Sequence, residues 1–239
     1  MNPNWLERTE LLIDEKGIQK LQKSSILIIG LGGVGSFAAE FLVRAGIGNL
    51  TIIDGDTIDI TNINRQLPAL HSTIKKLKVD VVAERLLDIN PLLNLKKIPK
   101  FLAPQDAYDI VDKKYDYVLD CIDSVKPKIN LLIAAKRKKV KMVSSMGAGG
   151  KMDASKILVR DIHKTKNCAL SRVLKRELKK VGIDKGIRCV FSTEFQNKNS
   201  VQLTDGTNYK KSFYGTISYI PALFGIHIAS EVLTKLLAK

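Results

Sequence analysis

The sequence contains few cysteines and no recognisable set of metal ligands. Its three cysteines, Cys121, Cys168 and Cys189, lie 47 and 21 residues apart, so no pair has the spacing of zinc ligands. The three histidines show no ligand spacing either, and they form no Ser-His-Asp pattern. A small, odd number of thiols argues against a disulfide-stapled secreted domain and suits a reducing cytoplasm, where we expect this protein to act.

The sequence also lacks segments that divide, export or anchor a chain. It has no proline- or serine-rich linker, repeat or low-complexity run, so we expect one domain over residues 1–239. Residues 1–10 carry no apolar stretch after a basic start, unlike a secretory signal. The longest apolar segment, Ile217–Leu237, is interrupted by a proline and by charges such as Glu231 and Lys235. This pattern predicts a packed C-terminal helix and no membrane insertion.

Acidic residues are in deficit, with 24 against 39 basic ones and a formal charge of +15. One basic run occupies residues 136–141. A second set recurs at helical spacing opposite Leu170, Leu174, Leu178 and Val181, and comprises Arg172, Lys175, Arg176, Lys179 and Lys180. A helix that packs through leucines and turns five cations outward suits a polyanion, so we expect nucleic acid as a partner. An ordinary solvated surface is the alternative.

Hydrophobic periodicity predicts an α/β fold. Apolar runs at 26–29, 51–53, 117–122 and 140–143 alternate with helical patterns at 34–45, 76–89, 125–138, 168–181 and 221–237. The alternation predicts a Rossmann-like, largely parallel sheet with helices on both faces. We expect residues 157–162 and 187–191 to extend it with antiparallel strands in the C-terminal third. The polar segment 194–214 predicts a functional or mobile loop.

A glycine turn follows the first apolar run. Residues 30–35 read Gly-Leu-Gly-Gly-Val-Gly, between the run Ser25–Ile29 and a helical pattern. Glycines let the backbone turn tightly and approach phosphate oxygens, and a helix N-terminus favours anions. Asp54 ends the second apolar run, where a carboxylate can accept hydrogen bonds from ribose hydroxyls. The predicted nucleotide contacts are Gly30, Gly32, Gly33, Gly35 and Asp54, a set that alone would also permit a dinucleotide oxidoreductase.

Two basic residues behind the turn favour a triphosphate over a dinucleotide. Arg65 follows a pair of asparagines in a polar turn, where its planar guanidinium could grip phosphate oxygens or simply cap the turn. Lys78 falls in the first turn of a predicted helix and opposes the helix dipole unless an anion lies beside it. We expect both side chains near the surface, and Asp56 and Asp59 to be solvated loop carboxylates.

Asp123 ends the predicted strand 117–122, at the edge where phosphates would lie. Magnesium commonly takes one or two carboxylates together with phosphates and waters, so Asp123 is a candidate Mg²⁺ ligand. The alternative is an N-cap for the helix 125–138, a role that Ser124 could fill equally well.

The segment Ser144–Gly150 closes another predicted strand with a glycine-rich turn. There Ser145, Gly147 and Gly149 could form a wall of the acceptor pocket, or an ordinary loop. Cys168 stands at a predicted helix start, which would stabilise a thiolate, but without a partnered base it is weak evidence for a nucleophile.

The motifs as a set resemble the ThiF/MoeB superfamily, the bacterial relatives of ubiquitin-activating enzymes. The matching motifs are Gly30–Gly35, Asp54, Asn62-Ile63-Asn64-Arg65-Gln66, Lys78 and Asp123. The resemblance covers nearly the whole chain and implies an ATP-dependent adenylyltransferase, which transfers AMP to a carboxylate and releases pyrophosphate. It implies further that Asp54 holds the ribose and that Asp123 holds Mg²⁺.

The resemblance also assigns roles to other residues. It implies that Asn64, Arg65 and Lys78 hold the triphosphate, with further nucleotide contacts from Asn62 and Ser124. Arg8 resembles an N-terminal arginine that reaches the phosphates of the other subunit, which implies a homodimer.

Within the superfamily, the sequence is most similar to the tRNA threonylcarbamoyladenosine dehydratases. The pointers are Arg8–Leu12, Ile122–Lys126, Ser144–Lys151, Phe191–Glu194 and Pro221–Ser230. This branch activates the threonylcarbamoyl carboxylate on a tRNA adenosine, and the activated group then closes a ring. The alternative is an adenylyltransferase for a ubiquitin-like sulfur carrier, although such members usually carry zinc cysteine pairs. A cysteine desulfurase or sulfur-acceptor partner stays open.

Overall fold

The computed structural model describes residues 4–203 and 212–238, and within these ranges the central feature is a seven-stranded sheet. Its strands are β1 (Ser25–Ile29), β2 (Asn49–Ile53), β3 (Asn94–Ile98), β4 (Tyr117–Asp120), β5 (Met142–Ser145), β6 (Ile157–Asp161) and β7 (Arg188–Ser192). They lie in the order β3-β2-β1-β4-β5-β7-β6. All neighbours are parallel except β6 and β7, which are antiparallel. The predicted Rossmann-like sheet and its antiparallel extension are confirmed.

Helices cover both faces of this sheet. They are α1 (Glu7–Lys23), α2 (Gly35–Arg44), α3 (Lys78–Ile89), α4 (Ala107–Ile110), α5 (Val125–Lys138), α6 (Ala169–Lys180) and α7 (Tyr219–Leu237). One core packs α1, α2, α3 and α7 against the sheet, and the other packs α4, α5 and α6. Strand β1 serves both, because Ile26 and Ile28 face the first core while Leu27 and Ile29 face the second. A strand buried on both faces therefore reads as a continuous apolar run.

Strand β3 and helix α1 are among the elements that were not predicted from the sequence, as is the short helix α4. Strand β3 is an edge strand whose residues are half-buried or exposed. Its sequence therefore shows little of the apolar periodicity that marks a buried strand. Strand β3 is recognised in the structure by its parallel pairing with β2. Helix α1 is kinked at Asp14, whose φ of 60° is non-helical and whose Oδ1 accepts a hydrogen bond from the Gly17 N–H at 2.8 Å. This kink interrupts the helical spacing of its apolar residues.

Other boundaries differ from the predictions. Strand β4 ends at Asp120, so Asp123 lies in the turn after the strand and does not end it. Val181 was expected to bury with the leucines of α6 but is 41% exposed beyond the end of the helix. The predicted loop 194–214 includes a short antiparallel hairpin, β8 (Val201–Leu203) with β9 (Ser212–Tyr214). Residues 204–211 of that segment lie outside the described residues.

Helix α7 packs in the first core, as predicted for the C-terminal segment. Within the described residues it is the one helix long and apolar enough to cross a membrane, judged by length and composition only. Its buried side includes Phe224, Ile228 and Val232, which join the core shared with α2. Pro221 stands in the first turn, where no intrahelical N–H bond is lost.

Candidate active site

A cavity of about 680 Å³ opens at the carboxyl ends of β1, β2, β4 and β5. Many residues of its wall were singled out in the sequence: Gly30, Gly32, Gly33, Asp54, Asn62, Arg65, Lys78, Asp123, Ser124, Ser145, Gly147 and Gly149. Ligands of open α/β sheets bind beyond this edge of the strands. The wall also contains Lys100, Phe101 and Leu102 after β3, which the sequence did not indicate.

The glycine turn forms the floor of this cavity between β1 and α2. Gly30 has a φ of +91°, a conformation that favours glycine, and helix α2 begins at Gly35. A Cβ on Gly35 would lie 1.8 Å from the Gly30 carbonyl oxygen, so Gly35 allows the turn to close and does not itself line the cavity. The N-terminus of α2 therefore lies at the cavity floor, where it favours an anion.

Asp54 is fixed at the end of β2 by backbone donors. Its Oδ2 accepts a hydrogen bond from the Leu31 N–H at 2.6 Å, and its Oδ1 accepts one from the Asp56 N–H at 2.8 Å. Burial raises the pKa of Asp54, and the Lys78 charge and the two N–H donors oppose that rise. The carboxylate keeps free lone pairs toward the cavity, as a ribose contact requires.

Lys78 is buried, which corrects the expectation that it lies near the surface. Its residue exposure is 4%, and its Nζ donates to Asp56 Oδ2 at 2.8 Å. Asp56 lies in a loop on the cavity wall with its side chain 48% exposed, as expected, but it also forms an ion pair with Lys78. The loop comes close because Thr57 pairs with Leu77 and the Lys78 N–H donates to the Asp56 carbonyl. Asp56 supplies the anion that a lysine in a first helical turn needs.

Arg65 reaches the cavity from the polar turn after β2. Its Nη1 donates to the Thr61 carbonyl at 2.9 Å and to Asn64 Oδ1 at 2.8 Å. Burial lowers the pKa of Arg65 from its ordinary value, and the charge of Asp123 opposes that shift. Asn64 itself does not line the cavity; its Nδ2 donates to the Thr216 carbonyl at 2.9 Å. The structure therefore places Asn64 as a bridge that holds Arg65.

The same turn contains Asn62, a predicted nucleotide contact, and Gln66, which the sequence motif included without a role. Asn62 is buried, and its Oδ1 accepts the Asp59 N–H at 3.2 Å. Gln66 is buried on the cavity wall, and its Oε1 has no hydrogen-bond partner in the described part of the chain. An unsatisfied buried acceptor costs free energy, so this atom is an uncompensated polar group just behind the cavity surface. The sequence signal for Gln66 was its place in the motif 62–66.

Asp123 and Ser124 line the cavity in the turn between β4 and α5. Ser124 is buried at the N-cap position of α5, and Asp123 lies close enough to Arg65 for their charges to interact. Among the described residues, no group of three or more His, Cys, Asp or Glu could hold a metal. One carboxylate beside a cavity for phosphates nevertheless fits Mg²⁺, because that ion draws further ligands from phosphates and water.

The opposite wall is the glycine-rich turn after β5. Ser145, Gly147 and Gly149 line the cavity there, as the acceptor-pocket interpretation required. Gln196 connects this turn to helix α6: its Nε2 donates to the Gly149 carbonyl at 3.2 Å, and its Oε1 accepts the Ala169 N–H at 3.3 Å. Gln196 thus links this side of the cavity to helix α6.

The basic residues of α6 lie outside the cavity, and three of the five already have partners. Lys175 Nζ donates to the Thr165 carbonyl at 2.8 Å. Arg176 and Lys180 both pair with Glu177, at 3.0 and 2.8 Å. Arg172 and Lys179 are exposed and have no ion-pair partner in the described ranges. The predicted outward face exists, but its freely available charge is smaller than the sequence indicated.

Arg8 is exposed in the first turn of α1 and does not line the cavity of its own chain. Cys121 and Cys189 offer no reactive thiolate. Burial, with the Asp120 charge adding to it, raises the pKa of Cys121 to about 12, and burial raises that of Cys189 to about 12. Cys168 is buried, and its Sγ accepts the Ser171 N–H at 3.5 Å, a capping role.

Comparison with known proteins gives a consistent picture. Residues 6–239 match the ThiF family. The tRNA threonylcarbamoyladenosine dehydratase of Escherichia coli K12 is 37% identical over 255 residues, covering 98% of this chain and 95% of that one. The enzyme of the same name from Bacillus subtilis is 40% identical over 78% of this chain and 74% of its own. The E. coli crystal structure superposes with a TM-score of 0.88 over 98% and 94% of the two chains, at 35% identity. Its complex with ATP gives 0.87 over 96% and 92%, at 36% identity.

Proposed function

The chain belongs to the ThiF family, and on that premise we propose that it is an ATP-dependent tRNA threonylcarbamoyladenosine dehydratase. The observation that carries this proposal is the convergence of Asp54, Arg65, Lys78 and Asp123 on one cavity at the strand ends. These residues come from separate segments and supply a ribose acceptor, two phosphate cations and one carboxylate. The similar E. coli enzyme has been crystallised with ATP and with AMP.

The reaction begins with a poor electrophile. A carboxylate oxygen of the threonylcarbamoyl group attacks the α-phosphorus of ATP, and pyrophosphate leaves with the electron pair of the cleaved P–O bond. Attack on the activated carbonyl from within the same group then displaces AMP, which carries away the carboxylate oxygen. ATP and the threonylcarbamoyl group thus become AMP, pyrophosphate and a cyclised product; the product lacks the elements of one water, which are retained in AMP and released protons, and no free water forms.

The main role of the cavity residues is to neutralise the negative charge of the phosphates. Arg65 and Lys78 would neutralise the departing pyrophosphate, and their fixed positions avoid reorganisation during the reaction. Asp123 would hold Mg²⁺, which supplies further charge neutralisation at the phosphates when bound. Asp54, Asn62 and Ser124 would orient the nucleotide. Ring closure within one group gains the advantage of proximity and needs no nucleophilic cysteine.

The acceptor would approach from the wall formed by Ser145, Gly147 and Gly149. The available cations of α6 would hold tRNA phosphates, which suits the +15 charge of the chain. We also propose a cytoplasmic homodimer in which Arg8 completes the site of the neighbouring subunit, since Arg8 is exposed and lies outside its own cavity. A sulfur-transfer partner is not needed for this chemistry.

The deciding experiment supplies ATP and Mg²⁺ with either tRNA carrying threonylcarbamoyladenosine or a ubiquitin-like carrier protein. We expect AMP and pyrophosphate to appear only with the modified tRNA, whose nucleoside should lose one water by mass spectrometry. Unmodified tRNA is the matched control. AMP release that requires the carrier protein would instead support the alternative, an adenylyltransferase for a sulfur carrier.

A further inference from the structure

A charged pair is completely buried behind the cavity wall. Lys128 of α5 and Asp120 at the end of β4 are each 0% exposed, and Lys128 Nζ lies 2.6 Å from Asp120 Oδ2. The Ser144 hydroxyl donates to the same oxygen at 2.6 Å. Lys128 is among the largest fully buried side chains of the described residues. None of these three residues lines the cavity.

This arrangement is not explained by stability. Removing two charges from water costs several kcal/mol per ion, so a buried ion pair is often no better than apolar residues of the same shape. Lys128 also lies in the first turn of α5, where the helix dipole disfavours a cation. Apolar neighbours such as Leu131 and Leu132 already pack the helix into its core. A polar pair retained at such a position has a different role.

The geometry connects this pair to the turn that carries Asp123. While Oδ2 of Asp120 is occupied by Lys128 and Ser144, its Oδ1 accepts the Ile122 N–H at 3.2 Å. On the other side, the Cys121 N–H donates to the Ile29 carbonyl at 2.9 Å. The backbone of the turn is thus fixed on both sides directly before Asp123.

We propose that Lys128 is a positioning residue of the nucleotide site. With Ser144 it fixes the rotation of the Asp120 carboxylate, which then holds the Ile122 amide and sets Asp123 opposite Arg65. The inference rests on the proposed function, because Asp123 is the proposed Mg²⁺ ligand. Residues behind metal ligands orient them, and their replacement typically costs about 10–100-fold in metal affinity or activity.

The test replaces both charges at once with neutral side chains of similar shape, Asp120→Asn with Lys128→Met, so that neither charge stays buried alone. Calorimetry measures ATP affinity as a function of Mg²⁺ concentration. We expect the Mg²⁺ concentration that gives half of the maximal effect on ATP binding to rise by about 10-fold or more. ATP binding without Mg²⁺ should change little, and the Ile122 amide should exchange its hydrogen faster. The matched control neutralises the Arg188–Glu231 ion pair between β7 and α7, which lies away from the cavity. It should leave the Mg²⁺ dependence unchanged.

The outcomes separate this inference from the proposed function. A wild-type protein that binds no ATP with Mg²⁺ would overturn the proposed function. A wild-type protein that binds it, beside a double variant with wild-type Mg²⁺ dependence and Ile122 exchange, would overturn the role of Lys128 alone. If the double variant does not fold, Ser144→Ala carries the test, because it removes one of the two donors to the same oxygen. A folded Ser144→Ala protein with wild-type Mg²⁺ dependence would refute the inference equally.

Discussion

The proposed nucleotide side, at the strand ends, and the proposed acceptor side, on α6, use charge in different ways. At the ends of β1 and β2 the charged groups are individually fixed: the buried Lys78 by Asp56, and the half-buried Asp54 by two amides. On α6 the cations are mostly exposed, and several pair with one acidic neighbour. Buried, preorganised charges act strongly on a bound ligand, while exposed ones are screened by salt. The comparison implies that one side is built for chemistry and the other for adjustable binding.

The largest effect on activity is expected for substitutions on the proposed nucleotide side. We expect Arg65→Ala or Lys78→Ala to lower AMP release by roughly 10²–10³-fold, the scale of removing a preorganised charge from a developing anion. Lys78→Ala should also lower the melting temperature, because it leaves Asp56 without its partner. Lys76→Ala, an exposed neighbour, is the matched control and should keep full activity. Unchanged AMP release in either variant would remove that residue from the mechanism.

A mixing experiment tests whether the nucleotide side is complete within one chain. Arg8→Ala and Arg65→Ala proteins should each be impaired alone. Random exchange of subunits should make about half of the dimers hybrids with one intact site each, restoring roughly a quarter of wild-type turnover. Mass spectrometry of differently tagged subunits checks that hybrids form. Hybrids without recovered turnover would show that Arg8 does not act across the dimer.

The acceptor side should respond through salt dependence. Replacing Arg172 and Lys179 with Gln should flatten the slope of log K for tRNA against log salt by about 1.4–1.8 units, because each phosphate contact contributes about 0.7–0.9. ATP affinity should not change, since neither residue lines the cavity. Lys175→Gln is the control, because its Nζ already donates to the Thr165 carbonyl. An unaltered slope for the double variant would identify α6 as an ordinary solvated surface.

The pH dependence of ATP binding sharpens the comparison further. Burial raises the pKa of Asp54 above its ordinary 3.8, so protonation begins at a higher pH than for an exposed aspartate. Affinity for ATP should fall as pH falls through that raised pKa, because the protonated carboxyl loses acceptor capacity toward the ribose. The contribution of Asp54 to folding stability should rise over the same window, since the folded state binds the proton more tightly than the unfolded state. Asp54→Asn should bind ATP weakly with a flat profile; a profile as steep as wild type would point to another group.

The smallest effect is expected at the thiols. Cys121 lines the cavity, but its pKa of about 12 keeps it protonated at neutral pH. Cys121→Ser and Cys168→Ser should therefore each retain nearly full AMP release and cyclisation. Loss of cyclisation with AMP release intact, in either variant, would indicate a thioester step and contradict the proposed mechanism.

Most of the nucleotide side could be predicted because its signals are local. The buried strand β1, the glycine turn and the apolar spacing of α2 follow one another along the chain. Each of these sequence patterns indicates a single type of local structure. The prediction that Lys78 lies near the surface was wrong, and its ion pair with Asp56 was missed, because these features have no local signal. The ion pair joins positions 22 residues apart, and no local pattern states that a loop folds back onto a helix start.

The sequence by itself determined the α/β class, the strands β1, β2, β4 and β5 with the helices α2, α3 and α5, and the residues that converge at the strand ends. It did so because a parallel sheet brings the loops after its strands to one edge. Only the tertiary structure decided which charges are buried, which cations of α6 are already paired, and that Asn64 bridges Arg65 to the Thr216 carbonyl. Whether a charge is buried or paired depends on the residues that pack against it in three dimensions. Those residues are often distant in sequence, so the local sequence does not reveal them.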